Sequence, residues 1–154
     1  MPFYTREQWV RLVALPGAML LGTLVMVTVD PMDALRSMTN EVRYIVEVKR
    51  AYPDNALIQG TFQDAKNPLP GFDLSAMHDR EAALNKLCQY IKETSMLLND
   101  DIEAKEFKAF LAVMAEMVAE DVKQGRFGND PVIQQAQVAY LRTLKGQFNL
   151  VHPG

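Results

Sequence analysis

Apolar residues recur along this chain at spacings of three and four, the period of an amphipathic helix. The clearest case is residues 102–124, where Phe107, Phe110, Leu111, Met114, Val118 and Val122 form one stripe. Lys105, Ala112, Glu116 and Lys123 lie opposite. A second stripe of Leu84, Leu87, Cys88, Ile91 and Leu98 follows Asp79, placing Cys88 in the core. A third, Leu35, Met38, Val42, Ile45 and Val46, predicts one helix over residues 31–51, with Glu41 a solvated flank beside Ile45. Val138, Leu141 and Leu144 mark the inward face of a last helix running to about residue 148. No stretch of five or more residues alternates cleanly, so no strand is expected.

Punctuation agrees with this period. Thr5 to Gln8 has the form of a capping box, reciprocal bonding between an N-cap side chain and the third helical residue. Asp30-Pro31 and Asp130-Pro131 each pair a favoured N-cap with a favoured first helical residue. Gly125 is placed to close the 102–124 helix in a left-handed conformation. Pro16 breaks the first helix and suits the start of a second over about residues 16–29. Residues 54–64 suggest a short helix weakened by Gly60. Residues 65–77, with two prolines and a glycine, read as a surface crossover. The expected fold class is all-α: a single domain over residues 1–154, a bundle of about five to seven helices built from two antiparallel helical hairpins.

Composition narrows the function. The chain has 154 residues with a net charge of -3 and a pI of 5.4. That balance, with no dense Lys/Arg cluster, argues against nucleic acid as a partner. Cys88 is the only cysteine, so no internal disulfide can form; a reducing, cytoplasmic setting is expected. Residues 12–29 carry no charge and approach the length of a short membrane span. Pro16-Gly17 interrupts them, and no basic cluster sets an orientation. A buried core helix is the expected reading, with peripheral membrane contact the alternative. Glu7 near the start argues against a cleavable signal.

The search for chemistry yields little. No glycine-rich phosphate loop or metalloprotease motif occurs, and His78 and His152 are too few and too far apart for a histidine metal site. No nucleophile–base pair can be named, so no enzyme is expected. The acids remain. Glu103 and Asp121 share an azimuth beside the apolar stripe but lie about 27 Å apart at 1.5 Å rise per residue. Glu103 suits the N-terminal dipole; Asp121 sits at the wrong end for it. An ion pair with a basic residue of the last helix is the plain explanation for Asp121. Should the hairpins bring Asp30 or Glu41 near Asp121 or Asp130, their oxygens would suit a hard divalent cation such as Mg²⁺ or Ca²⁺.

The stretch Glu103-Ala104, Phe107-Lys108, Phe110-Leu111, Val118-Ala119-Glu120, Lys123, Gly125 and Phe127-Gly128 resembles a pattern in a family of small bacterial helical proteins. The apolar N-terminal segment with Trp9, Leu12 and Pro16, ending at Asp30, resembles its other half. More distantly the layout is similar to tellurite-resistance TerB-like domains, helical bundles tied to metal and chemical stress. The resemblance matches Asp30 to the Asp of their Ala-Asp-Gly turn and makes Glu41 the nearest candidate for the Glu that follows. Val29 stands where that turn has Ala, and Pro31 where it has Gly. The resemblance implies a non-enzymatic stress-response or scaffold module, with a divalent cation held by Asp30 and Glu41; the reading of the acidic residues adds Asp121 as a further candidate ligand. The alternative is an interaction domain without ligand, its partner another protein or a second copy. The nine methionines suit adaptable apolar contact surfaces.

Overall fold

A computed structural model describes residues 4–27, 31–38, 41, 43–61 and 79–151. The elements are α1 (Arg6–Leu12), α2 (Leu15–Val25), α3 (Pro31–Met38), α4 (Arg43–Lys49), α5 (Ala56–Gly60), α6 (Arg80–Ser95), α7 (Ile102–Lys123) and α8 (Pro131–Val151). The described residues contain no strand, and the protein is an all-α bundle. The expected crossover at 65–77, and Asp30, lie outside the described residues.

Local chemistry sets most helix starts. The Thr5 side chain accepts from the Gln8 backbone N–H while the Gln8 side chain accepts from Thr5 N, completing the capping box of α1. Asp79 and Asp101 cap α6 and α7 in the same way, each accepting from the N–H three residues on. Such caps satisfy donors that a helix start otherwise leaves without partners.

The uncharged run becomes the centre of the molecule. All eleven residues of α2 are buried. The helix packs on α6 and α3 and reaches α7 and α8. Pro16 sits in its first turn, where the missing N–H costs no hydrogen bond. Gly22 lets Tyr140 of α8 lie directly on the α2 backbone, and the Tyr140 hydroxyl donates to Ala18 O at 3.3 Å. Gln137 Nε2 donates to Thr23 O at 2.9 Å, satisfying a carbonyl near the buried end of α2. Among the described residues no single helix is long and apolar enough to cross a membrane; α1 and α2 would suffice only together, and they are bent by 41°.

α7 and α8 form an antiparallel hairpin. Gln134 Nε2 reaches Val122 O near one end, and Lys145 pairs with Glu116 further along. α4 and α5 lie along α7, and α1 lies on α6. Phe107, Phe110, Leu111, Met114, Leu141, Leu144 and Phe148 interleave in the core.

Two sequence expectations are corrected. The helix expected over 31–51 is described as two, α3 and α4, with Glu41 between them. Cys88, expected in the core, is exposed. It occupies the edge of the α6 stripe, and the neighbouring helices cover Leu87 and Ile91 instead.

Candidate functional site

The way α7 ends decides where the acids meet. Gly125 adopts φ +83°, a left-handed conformation that suits glycine. Gly125 N donates to Val122 O and Arg126 N to Asp121 O. These two bonds define a Schellman motif, which brings the residue after the glycine over the residue five positions earlier. An apolar pair often occupies those places. Here they hold Arg126 and Asp121, with Arg126 Nε 4.0 Å from Asp121 Oδ2.

α4 supplies the rest. It runs beside the end of α7, with Tyr44 buried against it and Arg43 on its outer side. Arg43 Nη2 donates to Asp121 Oδ2 at 3.0 Å, and the Tyr44 hydroxyl donates to the same oxygen. The Arg43 guanidinium also lies over the Tyr44 ring, 4.6 Å from its centroid. Glu41, leading into α4, accepts from Arg126 Nη2 at 3.0 Å and lies 4.0 Å from Arg43 Nε. Two carboxylates and two guanidiniums thus alternate around a small ring, with one phenol against it.

The electrostatics follow from this packing. Burial, reinforced by the Asp121 carboxylate, pushes the Tyr44 phenol well above its usual pKa. The bond to Glu41 raises Arg126 further above its already high value. Glu41 is no solvated flank: its side chain is 15% exposed, against 33% for Asp121. Nor does Asp121 pair with the last helix; its partners come from α4 and from the turn after α7.

Of the three acids singled out in the sequence, Glu41 and Asp121 do come together, and Asp30 lies outside the described residues. What draws the two acids together is a pair of arginines. A cation at this place would have to displace guanidiniums that already occupy carboxylate lone pairs. Among the described residues no group of three or more metal-ligating side chains is assembled. Sequence reasoning missed Arg43, Tyr44 and Arg126. For Arg126 a signal existed, since Gly125 as the residue closing α7 already implied contact between Arg126 and Asp121. Arg43 and Tyr44 carried none, because their place depends on how α4 lies on α7.

No protein-family model, curated protein or solved structure matches this chain.

Proposed function

We propose that this chain is a non-enzymatic helical scaffold module that works by docking a protein partner, a second copy of itself being the first candidate. The observation that supports this reading is the turn between α6 and α7. Met96 is 69% exposed and Ile102 73% exposed, one at each end of that turn. The turn is held from below: Leu98 is buried, and Asn99 N donates to the Tyr4 hydroxyl at 3.0 Å. Two large apolar side chains on a rigid support form an anchor that loses little entropy on binding. The charged groups of the ring, by contrast, are spent on each other.

The test is light scattering across a range of protein concentrations, with Met96→Glu/Ile102→Glu beside the parent. A dimer that this variant dissociates, with its thermal unfolding unchanged, supports the reading. A monomer throughout, or a dimer indifferent to the substitutions, rules out self-docking at this turn.

A second reading keeps the stress-response module suggested by the TerB-like resemblance, with a divalent cation at Asp30, Glu41 and Asp121. One observation favours it: Glu41 and Asp121, from opposite halves of the chain, come together around the same two guanidiniums. Thermal unfolding with millimolar Mg²⁺, Ca²⁺, Mn²⁺ or Zn²⁺ tests it. A cation at about 100 times its Kd adds about 2.7 kcal/mol. A shift lost in both Asp30→Ala and Asp121→Asn supports the site; no shift with any of the four rejects it.

A further inference from the structure

A cavity of about 320 Å³ opens where the end of α2, the turn after α7 and the start of α8 converge. Met26, Val27, Phe127 and Ile133 supply its apolar lining. Its size is at the lower end of the roughly 300–1,000 Å³ usual for small-molecule pockets, which combine apolar walls with few polar groups.

One polar group in the lining stands out. Gln137 is fully buried, and its Nε2 is committed to Thr23 O, which fixes the orientation of the amide. Exchanging the two amide atoms would set oxygen against oxygen. Its Oε1 is closed to water and has no donor. A buried acceptor without a partner forfeits the hydrogen bond it would make in water. The neighbouring Gln134 is satisfied, donating to Val122 O and Gly128 O. The cavity therefore joins an apolar wall to a single orphan acceptor.

The lining also constrains the charge of an occupant. Arg80 and Asp130 bring one charge of each sign, so neither anions nor cations are favoured. Phe127 is braced from outside by the Arg126 guanidinium, 5.7 Å from its ring centroid. A phenylalanine and a methionine thioether in one wall favour an aromatic ring.

We propose that this cavity binds a small, neutral, planar aromatic molecule carrying one hydrogen-bond donor, of the indole or phenol class. Its N–H or O–H is the donor that Gln137 Oε1 lacks.

The experiment is a titration followed by protein-observed NMR, using indole and indene, which share a shape but differ in the N–H. The intact protein is expected to bind indole about tenfold more tightly than indene, the worth of one such hydrogen bond. Ile133→Trp, which fills the cavity, abolishes binding of both. Gln137→Met removes the preference and keeps the apolar contact. Should Gln137→Met fail to fold, the indole–indene comparison and Ile133→Trp still decide the matter. Equal binding of the two probes, binding that survives Ile133→Trp, or no binding up to the solubility limit overturns the proposal.

Discussion

The hydroxyl of Tyr44 donates to the carboxylate of Asp121, 77 positions further along the chain. That oxygen also accepts from Arg43. Around this contact α4 is fastened to the end of α7, so its removal is the most direct probe of the ring.

Tyr44→Phe keeps the ring and deletes one donor. A loss of about 1 kcal/mol is expected, since Asp121 retains Arg43 and some solvent. The pH dependence separates this from simple repacking. The folded-state pKa of Tyr44 is raised by burial and by Asp121. Its contribution is therefore complete below the unfolded value of about 10 and is lost as pH rises above it. Urea midpoints between pH 8 and about 11.5 should fall less steeply in Tyr44→Phe than in the parent. Parallel curves would show that Tyr44 does not contribute to alkaline unfolding.

Arg126→Met leaves Glu41 largely buried, with only Arg43 nearby at 4.0 Å. The variant should be less stable than the parent by about 1 kcal/mol in urea denaturation, because Glu41 loses the donor bonded to it. Added salt should narrow the stability difference between the two proteins, because partly exposed pairs are screened. A difference unchanged by salt would assign the loss to packing of Arg126 on Phe127.

Gly22→Ala would set a new methyl 2.1 Å from the Tyr140 hydroxyl and 2.2 Å from its ring. Tyr140 is buried and bonded to Ala18 O, so it has little room to retreat. Overpacking of this kind costs about 1–3 kcal/mol. In a double-mutant cycle with Tyr140→Ala most of that cost should vanish. An undiminished cost would place the strain within α2 itself.

Asn55 ties α5 to α7. Its Oδ1 caps Ile58 N, and its Nδ2 donates to Glu103 O and Glu106 Oε1, all at 3.0 Å. Asn55→Ala should cost about 2 kcal/mol, a cap plus a buried bond. Asn55→Asp keeps the cap but loses both donated bonds and places a charge beside Glu106. It should be the less stable variant at pH 7 and should recover as pH falls through the carboxylate range. Denaturant titrations at pH 7 and pH 4 check this, and equal losses at the two pH values would contradict it.

Lys145→Ala is the contrasting case. Glu116 and Lys145 approach to 2.6 Å, and that bond lowers the Glu116 pKa, yet Glu116 is more than half exposed. Solvent screening should hold the cost below about 0.5 kcal/mol. A loss of several times that would mean the α7–α8 hairpin depends on its surface charges.

What the sequence determined by itself was local. Thr5, Asp79 and Asp101 cap helices because each side chain reaches an N–H three residues away, and Gly125 closes α7 because a left-handed turn suits a residue without a Cβ. The uncharged run around Met19 and Leu20 had to be covered by something, and α6, α3, α7 and α8 cover it. Even the contact of Arg126 with Asp121 was implicit in that closing glycine. Packing alone decided the rest. Whether Cys88 at the edge of its stripe is covered depends on how far the neighbouring helices reach. Whether Glu41 meets a cation or an arginine depends on the angle at which α4 crosses α7. The orphan acceptor of Gln137 arises because an α8 side chain caps the buried end of α2, a meeting of residues 114 positions apart. Hydrogen bonds within a turn depend on the chain's own geometry and can be read along it. Contacts between remote side chains depend on the balance of all the helix packings at once.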